Sequence, residues 1–327
     1  MLQAVCCLGS KQIEASSMQV GDMMAYMQYA MQIIMAFLMI AVMFIMVPRA
    51  SVAGDRIAEV LETKPSIRDP ESPVSLTAPV RGEVAFHDVS FRYPNAEENV
   101  LEHLSFTAKP GETTAFIGST GAGKSTLVQL ILRFYDVTDG SITLDGVDIR
   151  ELTQKELRAQ IGFVPQKGLL FSGDIASNIR YGNDLATDEE VRRAAQTAQA
   201  LEFIDAFPKG METGIAQGGT NVSGGQKQRL SIARALAKKA PVYIFDDSFS
   251  ALDFKTDAAL RRALAKDTAG AAVLIVAQRV STIMHAQQIV VLDQGKIMGV
   301  GTHKELLKTC PTYREIAESQ LSEEELQ

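Results

Sequence analysis

Cysteine is scarce in this sequence: Cys6, Cys7 and Cys310 are the only three in 327 residues. Their spacing fits no metal site and no secretory context surrounds them, so reduced thiols in a cytosolic setting are expected. A surplus of positive charge is missing as well. The 32 lysines and arginines are outnumbered by 39 acidic residues, and the formal net charge of −7 speaks against a nucleic-acid surface. Residues 1–10 are apolar but lack the basic start and cleavage site of a signal peptide, and they are too few to cross a bilayer. No internal repeat or low-complexity tract stands out.

A more telling absence is of charge in one stretch. Residues 23–48 (MMAYMQYAMQIIMAFLMIAVMFIMVP) carry no charged side chain. That length suits a transmembrane helix, which needs about 20 apolar residues. Gln28 and Gln32 share a face with small residues such as Ala36, so this face is expected to meet protein or a water-filled cavity. Asp22 precedes the stretch and Arg49 and Arg56 follow it, which predicts a cytoplasmic C-terminal side. Residues 11–21 read as a loop. Residues 51–62 have helical spacing and are expected to continue the span. Residues 64–81 contain Pro65, Pro70, Pro73 and Pro79, as an extended linker would. The expected organisation is therefore a membrane piece over 1–62, a linker over 63–82 and a larger domain over 83–327. One spanning helix cannot form a transport pathway by itself, so the chain is a fragment, or joins other membrane segments, or uses the helix as an anchor.

The larger domain is organised around Gly118-Ser119-Thr120-Gly121-Ala122-Gly123-Lys124-Ser125-Thr126. This fits G-x-x-x-x-G-K-[ST], the phosphate-binding P-loop. A β-leaning run (113–117) precedes it and a helical run (127–134) follows. Glycines allow backbone N–H groups to turn around phosphate oxygens, and the helix N-terminus adds partial positive charge. Lys124 is expected to reach the β- and γ-phosphates, and Ser125 to ligate Mg²⁺.

Other apolar runs read as strands. Residues 83–93 alternate, 101–108 follow a turn, and 140–148 form a hairpin around Asp145-Gly146. Residues 161–165 lead directly into Gln166. Residues 172–206 read as a separate helical lobe. Residues 222–229 (VSGGQKQR) precede a helix over 230–239. Residues 242–245 end in Asp246-Asp247, 271–277 lead into Gln278, and a further hairpin surrounds Gln294-Gly295. The tail from Thr302 is helical. Alternating strands and helices predict an α/β domain with a largely parallel sheet, in which the P-loop, Gln166, Asp246 and Gln278 converge on one crevice. His87, among alternating apolar neighbours, reads as structural.

These motifs, in this order, resemble the nucleotide-binding domain of ABC transporters. The resemblance covers residues 83 to about 320, and Ser223-Gly224-Gly225-Gln226 matches the signature of that family. It implies an α/β P-loop NTPase (ABC ATPase) domain with a helical subdomain, here preceded by a single transmembrane helix fragment. It also implies ATP and Mg²⁺ as ligands. Tyr93 matches the aromatic that stacks on adenine. Gln166 matches the Q-loop glutamine near Mg²⁺ and the attacking water, and Asp246 the aspartate that holds Mg²⁺. Ser250-Ala251-Leu252-Asp253 matches the D-loop. In this family two such domains pair head to tail, and each ATP lies between one P-loop (Ser119, Thr120, Gly121, Ala122, Gly123, Lys124, Ser125, Thr126) and the other domain's signature (Ser223, Gly224, Gly225, Gln226).

Two positions depart from the family. Asp247 stands where a catalytic glutamate is usual, and Gln278 stands where a histidine is usual. A carboxylate shorter by one methylene reaches less far toward a water, and glutamine cannot carry charge as histidine can. The pattern resembles the degenerate-site subunit of bacterial heterodimeric multidrug-type ABC exporters. Residues 23–62 resemble the last transmembrane helix of such half-transporters, which have six, so the chain is expected to be a C-terminal piece. The resemblance implies a second ABC half-transporter as partner, small hydrophobic substrates, and residence in the cell inner membrane with a cytoplasmic nucleotide-binding domain. A homodimeric exporter with a slow site and a non-functional remnant are the alternatives. Soluble ABC ATPases of DNA repair carry long coiled-coil insertions that this sequence lacks.

Overall fold

The computed structural model describes residues 2–322, in two compact units, Met1–Ser66 and Ile67–Gln327. The first unit holds α1 (Leu2–Glu14) and α2 (Val20–Glu62). At 1.5 Å per residue, the 43 residues of α2 extend about 65 Å, so the uncharged stretch and the segment after it form one helix. Among the described residues it is the one helix long and apolar enough, by length and composition, to cross a membrane. Its start is capped by Asp22, whose carboxylate accepts from the Gln19 backbone N–H at 3.1 Å. The helix continues through Pro48, which removes one backbone donor without ending it. Residues 11–14 are helical rather than loop. Lys, Gln and Glu are good helix formers, and polarity alone was the loop signal there. The turn comes at Ser16, with φ of 51°.

The second unit runs β1 (Val84–Phe91), β2 (Leu101–Ala108), β3 (Thr113–Gly118), α3 (Lys124–Ile131), β4 (Asp139–Leu144), β5 (Val147–Asp148), α4 (Gln154–Ala159), β6 (Ile161–Val164), β7 (Gly173–Asp174), α5 (Ile175–Arg180), α6 (Asp188–Thr197), α7 (Leu201–Asp205), β8 (Gly214–Ile215), α8 (Gly224–Ala237), β9 (Val242–Asp246), α9 (Phe254–Asp267), β10 (Ala272–Val276), α10 (Val280–Ile283), β11 (Gln288–Asp293), β12 (Lys296–Gly301), α11 (His303–Thr309) and α12 (Pro311–Glu318). Six strands form one sheet in the order β12-β11-β3-β10-β9-β6, parallel except for β12. A second, antiparallel sheet has the order β2-β1-β4-β5.

The apolar strands 113–117, 242–245 and 272–276 lack alternation because both faces of the parallel sheet are covered. Phe116, Ile244 and Leu274 face a core shared with the antiparallel sheet and with Leu127 and Ile131 of α3. Their neighbours Ile117, Phe245 and Ile275 face a second core, which continues into Ile175, Ile179 and Val191. The helical lobe thus shares its core with the sheet.

The structure adds three local features. The signature residues are the first turn of α8, not a loop before it. Ser223 caps the helix, and Gln226 returns its side-chain oxygen to the Ser223 N–H at 2.9 Å, which outweighs the poor helix propensity of two glycines. α9 follows the D-loop, capped by Asp253 accepting from Thr256 N–H at 2.9 Å. Residues 67–82 have no helix or strand, yet they lie along the second unit. The Asp145 carboxylate accepts from three successive N–H groups, of Arg81, Gly82 and Glu83, at 2.7–3.0 Å.

Candidate nucleotide site

The C-terminal ends of four neighbouring parallel strands meet at one edge, where α/β sheets hold their ligands. β3 runs into the loop 118–126, β6 leads to Gln166, β9 ends at Asp246 and Asp247, and β10 leads to Gln278. A cavity of about 680 Å³ opens there, within the ~300–1,000 Å³ usual for small-molecule sites. It is lined by residues 118–126, Gln166, Gln278 and Asp293, and on one side by Thr312, Glu315, Ser319 and Gln320. A cavity of similar size, about 700 Å³, is lined by Pro241, Tyr243 and Ala271 at the opposite strand ends, away from these residues.

The loop depends on glycine at its last turn. Gly123 caps α3 with φ of 91°, a left-handed conformation that strains any L side chain. Lys124 folds back, and its Nζ donates to the carbonyls of Gly118 at 2.8 Å and Ser119 at 2.7 Å. Burial lowers the Lys124 pKa from the ordinary lysine value, while the charges of Asp247 and Asp246 oppose that shift. Ser119 Oγ donates to Asp293 Oδ1 at 2.7 Å. Sequence reasoning missed Asp293, although it too directly ends a parallel strand.

Ser125 Oγ donates to Asp246 Oδ1 at 3.2 Å, placing a hydroxyl and a carboxylate side by side. Burial raises the Asp246 pKa. The Ser125 hydrogen bond opposes this, the neighbouring Asp247 charge adds to it, and Lys124 opposes it. Two adjacent hard oxygen donors beside an open cavity suit Mg²⁺, which keeps several waters and takes few protein ligands.

Asp247 is 7% exposed and has φ of 46°. Its Oδ2 accepts two hydrogen bonds, from Gln166 Nε2 at 3.1 Å and from Gln278 Nε2 at 2.8 Å. The Gln166 loop is held from behind by Gln228 of α8. That side chain donates to Pro165 O at 3.1 Å and accepts from Gly168 N–H at 3.0 Å.

Asp246 and Asp247 stand just behind the cavity lining, and two further predicted groups also lie outside it. Tyr93 packs edge-on against Phe91 and Tyr135, and its hydroxyl meets Thr126 Oγ1 at 3.0 Å and Gln129 Oε1 at 3.2 Å. Ser223, Gly224, Gly225 and Gln226 sit at the start of α8 and do not line it either. His87 is exposed, with its Nε2 3.2 Å from Thr143 Oγ1.

Comparison with known proteins bears on the family of the chain. Residues 101–250 match the family described as ABC transporter. An uncharacterised ABC transporter ATP-binding protein of Mycobacterium tuberculosis is 46% identical over 320 residues, covering 97% of this chain and 55% of the relative. An ATP-dependent lipid A-core flippase of Desulfotalea psychrophila is 44% identical over 262 residues, covering 80% of this chain and 45% of the relative. The chain spans about half the length of the curated relatives it matches. The structure of a bacterial Atm1-family ABC exporter with ATP bound superposes with a TM-score of 0.83 at 34% identity, covering 94% of this chain and 53% of that one. The strand-end constellation, the motif order and these relatives together make the second unit of this chain an ABC transporter ATP-binding domain, an ATPase with the P-loop NTPase fold.

Proposed function

We infer that this chain is the degenerate-site subunit of a heterodimeric ABC exporter of hydrophobic compounds or drugs. It binds Mg-ATP in a site impaired for hydrolysis, and it supplies its signature to the active site of a second half-transporter. The observation that carries the reading is the state of Asp247. Oδ2 accepts from the Gln166 and Gln278 amides, which leaves the other oxygen of a side chain one methylene shorter than glutamate to reach an attacking water. The P-loop half has no comparable defect. Residues 118–124 would hold the phosphates, Tyr93 the base, and Ser125, Asp246 and Gln166 the metal, whose charge would draw electron density from the γ-phosphate. Lys124 would exchange two loop carbonyls for phosphate oxygens. Gln278 would contact the γ-phosphate without accepting a proton. The exposed start of α8 leaves Ser223 and the Gly225 backbone free for a partner's nucleotide. Helix α2 supports membrane residence, and Arg49 and Arg56 support a cytoplasmic ATP-binding domain in the cell inner membrane. Likeness to a lipid flippase supports a hydrophobic cargo.

The test is titration calorimetry with Mg-ATP and single-turnover hydrolysis on the purified chain. The expected result is saturable binding with turnover far below the ~1 s⁻¹ lower end of ordinary enzymes. Rapid turnover by the chain without a partner would overturn the degenerate-site reading in favour of a homodimer.

A further inference from the structure

Gln320 lies just beyond α12, 40 residues along the chain from the loop it holds. Its carboxamide is used twice. Oε1 accepts from the Val280 backbone N–H at 2.8 Å, and Nε2 donates to the Gln278 carbonyl at 3.0 Å. The first bond serves the start of α10, whose N-cap residue Arg279 makes no side-chain cap bond. Gln320 satisfies an orphan donor there, as a capping side chain would. The second bond fixes the backbone of the residue whose amide reaches Asp247. The arm that carries Gln320 is itself anchored. Tyr313 and Ala317 of α12 are fully buried, and the Tyr313 hydroxyl lies 2.7 Å from His303 Nδ1.

We propose that Gln320 is a positioning residue for the γ-phosphate side of the nucleotide site, acting through the backbone of Gln278. The C-terminal helix then becomes a working part of the site. Gln166 is set differently, through Gln228 on α8, so the two amides on Asp247 Oδ2 answer to different elements of the fold. The proposal rests on reading the cavity as the Mg-ATP site.

The experiment compares ATP and ADP affinities of the full chain, with Mg²⁺, by titration calorimetry. ADP lacks the γ-phosphate, so it reports general damage, whereas ATP also reports the position of Gln278. Gln320→Ala should weaken ATP binding about 5–10-fold, the scale of one ordinary hydrogen bond, and leave ADP within about twofold. Gln278→Ala should give the same pattern. Because both act on one contact, the double variant should be no worse than either single one. Gln320→Glu keeps the acceptor for Val280 but sets a carboxylate against the Gln278 carbonyl, so it should weaken ATP binding at least as much as Gln320→Ala. Parallel losses of ATP and ADP affinity, an unchanged preference for ATP, or additive effects of the two alanine changes would each overturn the proposal. A parent chain that binds no Mg-ATP would overturn the reading of the site and this proposal with it. A parent that prefers ATP while Gln320→Ala prefers it equally would overturn the clamp alone.

Discussion

The two halves of the cavity differ in kind. On the phosphate half, Lys124, Ser125 and Asp246 stand as binding requires: a folded-back cation, a hydroxyl and a carboxylate, each with a partner it can exchange for a ligand. On the hydrolytic half, Asp247 is tied by two amides, and Gln278 offers no titratable nitrogen. On the proposed reading, holding a nucleotide and cleaving it would be separable in this chain, because different strand ends supply the groups proposed for each. The start of α8 stands apart from both halves, capped and exposed.

The sharpest way to break this contrast is through the signature. In a reconstituted heterodimer, Gly225→Asp in this chain alone places a negative charge where a phosphate oxygen of the partner's nucleotide belongs. Steady-state ATPase should fall about 10²–10³-fold, the scale of losing a transition-state contact. Asp247→Asn in this chain should change it by less than about twofold. Loss of activity with Asp247→Asn and retention with Gly225→Asp would invert the division of labour. Next in size is Lys124→Ala, which removes a charge-assisted phosphate contact. Calorimetry should record a loss of about 2–3 kcal/mol, tens- to a hundredfold in affinity. Equal affinities would show that the phosphate half does not bind as described.

A gain is expected from Asp247→Glu with Gln278→His. Single-turnover hydrolysis should rise about tenfold or more and exceed the sum of the single changes, since both act on one transition state. No gain in the double variant would locate the impairment elsewhere. The smallest effect concerns stability. The Asp246 pKa is raised in the folded protein, so its contribution to stability is fully present below the unfolded value and is lost as pH rises through the folded one. Asp246→Asn should therefore raise Tm at pH 7, and the gain should vanish in acid. The same variant should lose the Mg²⁺ dependence of ATP binding. A lower Tm at pH 7 would contradict the sign.

Much of the fold was legible in the sequence because its signals are local. A P-loop between strand and helix, the Asp145-Gly146 hairpin and polar residues ending apolar strands are each readable within about ten residues. The antiparallel sheet was not read as a sheet, since the pairing of β1 with β4 joins strands about fifty residues apart. α9 was overlooked beside the louder D-loop motif, though Leu260 and Leu264 are buried one turn apart. The supports of the site were hidden for a different reason. Gln228 and Gln320 act on backbone atoms far along the chain, and neither choice of residue leaves a mark near the loops it holds. Asp293 was within reach, because it ends a parallel strand as Asp246 does.

Tyr93 has a consequence for the heat and entropy of binding. Its ring is wedged between Phe91 and Tyr135, and its hydroxyl is held by Thr126 and Gln129. Immobilising a free side chain at a binding surface costs about 0.5–1.5 kcal/mol. At this ring, folding has already met that cost. A base stacking there would find a rigid plate, and its association would carry no ordering penalty from the phenol.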